Sequence, residues 1–396
     1  MAIFSGCTMK KKIVILGSTG SIGKSLVNIL KKDKKNIEVL LLTANKNIKE
    51  LSKQVKQFKV KNVIITNYKK FMIFEKKFKN KNIKIYNNFN SLNNILKKKK
   101  SDYTMNAITG LDGLRPTLKI IRFTKQIAIA NKESIICGWN LIQKELKKSK
   151  TDFIPIDSEH FSIWSLINNT KIKNIEEIYI TASGGPFKDY TLKKFNSITK
   201  KEALNHPSWK MGKKITIDSA TMMNKVFEII EAKKIFNFEY KKLKILVHPK
   251  SYVHAIVKFK NGLTKILLHD TNMVIPIFNS LYPNYEQSLH SKKLDFSIIN
   301  NFNFTKINNK KFPVVKIINH LPNKDSLFET VVIAANDQLV NLFLEDRIQF
   351  TDISKILINF INKEEFKKYK SIIPENIAQI EQLSEYVSLK IGSLSI

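Results

Sequence analysis

The chain has 396 residues and a net charge of +35, and its 43% hydrophobic and 10% aromatic content suffices to bury a core, which excludes a disordered protein. The charge invites a polyanionic partner, yet only Arg115, Arg122 and Arg347 are arginines among 68 cationic side chains, and the other 65 are lysines scattered among Asn and Ile. Proteins that read phosphates or base edges lean on the bidentate Arg fork, so the lysines read as compositional drift and no nucleic-acid partner is expected. From Lys11 to Lys150, KKIVIL (11–16), IEVLLLT (37–43), NVIITN (62–67), YTMNAI (103–108) and QIAIAN (126–131) alternate with helical stretches such as SIGKSLVNILKK (21–32). Strands alternating with helices predict an α/β fold with a Rossmann-like, doubly wound parallel sheet over 9–150.

A second region, 151–285, reads as a central α+β domain. Its strands are DFIPID (152–157), IEEIYITAS (175–183), KILVH (244–248) and the pair VHAIVKFK and LTKILLH. Asn261-Gly262 between the last two predicts a hairpin with a type I′ turn. One long helix is expected from Ser219 to Phe236. Residues 286–312, rich in Asn, Lys and Ser, read as a linker, and 313–396 carries only helical patterns, which predicts a C-terminal helical domain. Cys7 and Cys137 are the only cysteines, which excludes a disulfide framework and a cysteine-based zinc site. No apolar run reaches the ~18 residues of a membrane span, so a cytoplasmic protein without a membrane partner is expected. All that the first strand needs begins at Lys10, so Met9 serves as a start as well as Met1 does.

The first strand runs into GSTGSIG, where Gly17, Gly20 and Gly23 precede and open a helix. Glycines allow a pyrophosphate to approach the backbone, and the helix start offers unpaired N–H groups. The spacing is G-x-x-G-x-x-G, a moderate signal strengthened by its place after a first strand. A site for NADH usually sets an acid after the second strand. Here the stretch is Thr43-Ala44-Asn45-Lys46-Asn47, and the missing acid, with cationic Lys46 and the amide of Asn47, favours NADPH.

Three later segments are dense in catalytic residue types. In PIDSEH (155–160), Asp157 and Glu159 leave a strand end together, a pattern that suits a hard cation, with a helix cap at Asp157 or Ser158 as the alternative. In TASGGPF (181–187), Gly184-Gly185 leave the backbone bare beside Ser183. In HPSWKMGKKITIDSATMMNKVFEIIEA (206–232), His206, Trp209 and Met211 lie in a segment able to fold over a ligand, and Ser219, Asn224 and Lys225 form a phosphate cradle. Glu228 and Glu231 share a helix face, so one or both reach a metal held by Asp157 and Glu159.

The strings GSTGSIG (17–23), ANKES (130–134), PIDSEH, ASGGPF (182–187), HPSWKMG (206–212) and TIDSATMMNK (216–225), in this order, resemble the 1-deoxy-D-xylulose 5-phosphate reductoisomerase family along essentially the whole chain. The resemblance implies NADPH- and metal-dependent rearrangement and reduction of that sugar phosphate to 2-C-methyl-D-erythritol 4-phosphate, an early step of isoprenoid biosynthesis. The implied cation is Mn²⁺ or Mg²⁺, with Co²⁺ as a third candidate, and Asp157, Glu159 and Glu228 are its ligands. Lys132 and Glu159 are the implied catalytic residues. Ser158, Ser183, His206, Trp209, Ser219, Asn224, Lys225, Glu228 and His254 join them against the substrate, with Trp209 and Met211 in a lid. NADPH contacts are implied at Gly17, Ser18, Thr19, Gly20, Ser21, Ile22, Gly23, Lys46, Asn47, Asn131, Glu133 and Gly212, and the assembly is a homodimer through the central domain. Whether Lys132 stabilises an oxyanion or shuttles a proton stays open. Departures from the family pattern are Val226 where Gly is usual, Asn45 for Gly, Tyr282 for Trp, Asp337 for Glu, and Leu111-Asp112 with Arg115 in a usually Gly/Ala-rich turn. A dehydrogenase of the aspartate-semialdehyde type shares the glycine turn but needs a thiol nucleophile in its catalytic half, where neither cysteine lies.

Overall fold

The computed structural model describes residues 9–394 except 80, 208, 210, 285, 286, 292 and 294, so Cys7 and the Met1 start lie outside the described residues. The chain forms two compact units, one of residues 1–131, 142–156 and 273–288, the other of 132–141, 157–272 and 289–396.

The first unit is built on a seven-stranded sheet. Its strands are β1 (Lys11–Leu16), β2 (Ile37–Ala44), β3 (Asn62–Ile65), β4 (Lys84–Tyr86), β5 (Ser101–Asn106), β6 (Thr124–Ile129) and β7 (Asp152–Pro155), in the order β4-β3-β2-β1-β5-β6-β7. Every pairing is parallel, and the continuous apolar runs of β1 and β2 are buried as such a sheet requires. β7, read from sequence as part of the second region, pairs beside β6. The order reverses between β1 and β5, the switch point where open α/β sheets bind ligands beyond their strand ends. Gly17 follows β1 there, and the Ala107 N–H donates to Leu16 O across the gap. The helix Val274–Leu281 belongs to this unit; its Ser280 hydroxyl meets the buried Tyr103 hydroxyl at 2.8 Å, and Tyr282 donates to Asp33 at 2.7 Å.

The second unit holds a five-stranded sheet of β8 (Ile175–Ala182), β9 (Leu243–Val247), β10 (Val253–Phe259), β11 (Thr264–Leu268) and β12 (Thr305–Lys306), ordered β11-β10-β8-β9-β12. Only β8 and β9 run parallel. Helices Phe328–Leu344, Phe350–Ile361, Glu364–Lys367 and Ile377–Gly392 make the expected helical C-terminus.

Three local features differ from the sequence reading. The β10–β11 hairpin exists, but Asn261 does not take a positive φ; only Gly262 does, at 86°. Gly262 N donates to Phe259 O and Phe259 N to Leu263 O, so a three-residue loop closed by a left-handed glycine replaces the type I′ turn. The long helix divides into Lys213–Ala220 and Met223–Phe236, because Met222 is left-handed with φ 68°. Residues 286–312 contain the helix Phe296–Asn300 and β12, which pairs with β9; Phe302 and Phe304 pack on the His248 ring at 5.6 and 5.0 Å. Two aromatic anchors in an Asn- and Lys-rich segment escape a compositional reading.

Candidate active site

In the first unit the glycines of the turn are sterically required. Gly17 has φ 78°, and a Cβ there would lie 2.8 Å from Ala107 O; one on Gly23 would lie 2.4 Å from Gly17 O. Gly20 caps the helix Ser21–Lys32, with Ser21 exposed and Thr19 and Ile22 partly so, which leaves the first-turn N–H groups facing outward. Ser18 is buried and donates to Thr43 O through its backbone N–H and its hydroxyl. Lys46 is exposed, while Asn47 caps the helix Ile48–Phe58 by accepting from Glu50 N at 3.1 Å. Asn131 donates to Ile108 O and to Gly110 O, the latter at 2.6 Å, and so fixes the loop after β5.

In the second unit the acids converge. Single carboxylate oxygens of Asp157, Glu159 and Glu228 all lie within 4.8 Å of one another, and a second set of the same tightness joins Asp157 and Glu231 to His160. The helix-cap reading of Asp157 holds. Its Oδ1 accepts from Glu159 N at 3.2 Å, capping the helix Ser158–Leu166, while its Oδ2 takes the Lys132 ammonium. Lys132 also stands 3.4 Å from Glu228 and 3.3 Å from Glu231. Lys225 pairs with Glu159 at 2.6 Å and Glu228 at 2.5 Å, Asn224 donates to Glu228 at 2.5 Å, and Ser158 donates to Glu159 at 2.5 Å.

Burial penalises every charge here, and the pairings decide which survive. Burial works against the Lys132 ammonium, but Asp157, Glu231 and Glu228 outweigh it and hold it well above its ordinary value. Burial raises Asp157, but Lys132 and His160 outweigh that and hold it well below the carboxylate range. For Glu228, burial and the neighbouring Glu159 prevail over both lysines and push it up to about 7. Glu231 is raised by burial, and His160 is held up to about 9 by Glu231 and Asp157 against the cost of its own burial. Three hard oxygen donors repelling one another are the donor set a divalent cation needs, so the residues fit such an ion.

Beside the carboxylates, His206 Nε2 lies 3.2 Å from Ser183 Oγ and 3.1 Å from Ser219 Oγ. Gly184 and Gly185 adopt φ of 88° and 66°, and a Cβ on Gly185 would come within 3.1 Å of Ser219 O, so this close approach needs glycine. The Trp209 N–H donates to His206 Nδ1 at 3.0 Å, which ties Trp209 to the serine pair. Burial, with Lys225 nearby, depresses His206 to about 4, so its ring is neutral at physiological pH. Trp209 meets the buried His254 at 6.3 Å, and His254 stacks on His269 at 3.8 Å. Of the expected phosphate cradle, Ser219 stands with the substrate-contact candidates Ser183 and His206, while Asn224 and Lys225 turn to the carboxylates. Glu133 pairs with Lys214 at 2.7 Å, and Gly212 caps the helix Lys213–Ala220.

Sequence reasoning gave His160 no role and left Glu231 undecided. His160 is wholly buried, with Nε2 2.8 Å from Glu228 O and Nδ1 3.2 Å from Asp157, so it orients the Asp157 carboxylate. Its i, i+3 spacing from Asp157 on a capped helix was the available signal.

A glycine turn at a sheet switch point and a buried carboxylate centre ringed by lysines define a dinucleotide-dependent, metal-assisted oxidoreductase. Family models agree on the particular kind: 1-deoxy-D-xylulose 5-phosphate reductoisomerase matches residues 13–138, and two C-terminal domains of that enzyme match 153–236 and 268–386. A reductoisomerase of this name from Pelagibacter ubique is 64% identical over 98% of this chain and all of its own length; one from Clostridium kluyveri is 37% identical over 96% and 99%. The solved Zymomonas mobilis reductoisomerase with NADPH superposes with a TM-score of 0.86 at 29% identity, covering 98% of this chain and 100% of that one. Another, with NADPH, fosmidomycin and magnesium, gives 0.85 at 28% identity and 96% of each chain. The chain belongs to the 1-deoxy-D-xylulose 5-phosphate reductoisomerase family. No helix among the described residues is long and apolar enough to cross a membrane.

Proposed function

We propose that this protein converts 1-deoxy-D-xylulose 5-phosphate to 2-C-methyl-D-erythritol 4-phosphate with NADPH and a divalent cation, Mg²⁺ or Mn²⁺. The observation that carries the reading is the convergence of Asp157, Glu159 and Glu228 around Lys132 and Lys225. When bound, the cation supplies Lewis acidity at the ketose carbonyl and adjacent hydroxyl, and NADPH supplies hydride. Asp157, Glu159 and Glu228 hold the cation, and His160 with Glu231 orients Asp157 and Lys132. Lys132, kept protonated by its three acids, offers a proton and a positive charge to oxygen anions formed in the rearrangement. Ser183, His206 and Ser219 receive the phosphate through neutral hydrogen bonds. Lys225 and Asn224, which pair with Glu159 and Glu228, would also be within the phosphate cradle with those two carboxylates engaged as metal ligands. Trp209, anchored on His206, closes over the substrate against His254 and keeps water out.

NADPH is assigned to the 9–150 region, at Gly17–Gly23, Lys46, Asn47 and Asn131, with Glu133 and Gly212 as further contacts. A homodimer is supported by the edge strand β11, which carries the exposed Ile266 and is preceded by the exposed Leu263. A cytoplasmic location accompanies this assignment. The test is NADPH oxidation with 1-deoxy-D-xylulose 5-phosphate, with and without Mg²⁺ or Mn²⁺. Strict metal dependence is expected, and equal rates after EDTA treatment overturn the metal assignment.

A further inference from the structure

The lid segment passes into the helix Lys213–Ala220 through Gly212, and that junction is loosely packed. Gly212 and Lys213 are exposed, and a Cβ at Gly212 would meet nothing within 4 Å. The first side chain of the helix to be gripped is Lys214. Its ammonium lies 2.7 Å from Glu133, 2.8 Å from Asp337 and 3.3 Å from Asp218, and 5.3 Å from the centre of the Phe227 ring. These partners come from four helices: Glu133 follows Lys132 at the start of Lys132–Ser149, Asp218 is on the same helix as Lys214, Phe227 lies on Met223–Phe236, and Asp337 on Phe328–Leu344. The far end of the gripped helix carries Ser219, which is bonded to His206 and through it to Trp209. Lys214 thus bridges the stem of the lid, the helix start that presents Lys132, and the C-terminal helical layer.

We propose that Lys214 is the positioning residue of the lid, setting the register of Gly212, Trp209 and Ser219 against Glu133 and Lys132. The proposal rests on the reading of 206–212 as a lid over substrate. One ammonium serves three carboxylates, so the cluster carries surplus negative charge. The Asn336 amide relieves part of it by donating to Asp218 at 2.7 Å, and the charged Lys132 lies beside Glu133. Burial pushes Asp337 up to about 7, with Glu133 and Asp218 adding to the rise against Lys214, and the buried Cys137 thiol stays neutral. Asp337 therefore exchanges a proton near neutral pH, burial raises Asp218 as well, and the short Asp337 side chain sets how closely the C-terminal helix draws Lys214 in.

The experiment compares Lys214→Met, Lys214→Arg and Asp337→Asn with the unaltered protein in melting temperature, KM, kcat, NADPH affinity without substrate, and the Mg²⁺-induced melting shift. For folded Lys214→Met, kcat/KM is expected to fall about 10-fold or more, within the up to 10²-fold cost of a ~1 Å misplacement. NADPH affinity weakens with it, while the Mg²⁺ shift persists because the three ligand carboxylates are untouched. Lys214→Arg restores most of the loss. Asp337→Asn keeps two of the three anchors and removes surplus charge, so it folds even where Lys214→Met does not, and it flattens the dependence of KM on pH between about 6 and 8. Variants that melt lower yet keep kcat/KM, NADPH affinity and the pH profile would assign Lys214 to stability alone and overturn the proposal. Absence of metal-dependent turnover in the unaltered protein would instead overturn the functional reading beneath it.

Discussion

Val226 stands beside the cradle where the resemblance to the family implies glycine, so its replacement separates a blocked pocket from a filled core. The side chain is fully buried in the first turn of Met223–Phe236, and Lys225 next to it keeps both of its ion pairs. Val226→Gly removes three buried carbons at roughly 0.8 kcal/mol each. Glycine in a helix costs a few tenths of a kcal/mol more than valine, and a residual cavity of tens of Å³ adds about 1 kcal/mol. The total, about 3–4 kcal/mol of lost stability, corresponds to roughly 6–16 °C in melting temperature for a folding unit of this size. Turnover measured well below that melting point is expected to stay within about twofold (~0.4 kcal/mol of barrier), since Lys225 keeps both of its ion pairs. Calorimetry and steady-state kinetics on the same preparation decide it. A variant that melts within 2 °C of the parent (roughly 1 kcal/mol or less), or gains turnover about fivefold or more (~1 kcal/mol of barrier), would show that Val226 crowds the cradle, and the packing argument would be wrong.

Other substitutions and conditions test the remaining parts of the site. Glu159→Gln removes a ligand oxygen's charge and one partner of Lys225, so the Mg²⁺-induced melting shift and turnover should vanish while NADPH still binds; a preserved Mg²⁺ shift would remove Glu159 from the metal set. A cation that binds only the folded protein stabilises it by about 2.7 kcal/mol at 100 times its Kd, so Mg²⁺ should raise the melting temperature of the unaltered protein. The depressed His206 adds a pH term. Its contribution is present above the unfolded value near 6.5 and is lost as pH falls through about 4, because protons then bind the unfolded chain more readily than the buried ring. An NMR titration of the His206 ring with a midpoint above 6 would contradict this. Glu231→Gln should lower kcat more than it weakens Mg²⁺ binding, since Glu231 touches Lys132 and His160 and lies outside the Asp157–Glu159–Glu228 set; an equal loss of both would place it among the ligands.

Much of this was legible in the sequence because it is local. The β-branched runs alternating with amphipathic segments fix a parallel sheet, and Gly17 and Gly23 sit where only glycine clears the backbone. Asp157 and Glu159 could be paired from spacing alone. Other features depend on what the chain meets in three dimensions. The left-handed Met222 interrupts a run with good helical pattern, and nothing in its own type announces it. Glu228 and Glu231 are equivalent by helical spacing, and only the placement of Lys225 on one side and His160 on the other separates their roles. Asn224 and Lys225 fit a phosphate cradle by motif, yet they also pair with Glu228 and Glu159, because a buried acid left without a partner is costly.

The charge of +35 gains its meaning from the same cost. A lysine on the surface is nearly free to appear or vanish, since exposed pairs contribute about 0–1 kcal/mol, and drift can therefore populate the surface with them. A lysine buried against carboxylates is not free, because its loss strands those acids at roughly 3–5 kcal/mol. Among the described residues Lys132, Lys225 and Lys234 have side chains no more than 12% exposed and each faces at least two acids, and Lys214 faces three. Sequence position assigned roles to Lys46, Lys132 and Lys225; the buried acids add Lys214 and, through Asp325 at 2.6 Å and Glu329 at 3.0 Å, Lys234. Lys46 is exposed and owes its assignment to the missing acid after β2 alone. Reversing an exposed lysine such as Lys98 should then leave folding and turnover within the ±0.5 kcal/mol of an ordinary surface change, whereas the same change at Lys234 should cost several kcal/mol of stability with kcat per folded molecule unchanged, because its acids lie outside the carboxylate centre.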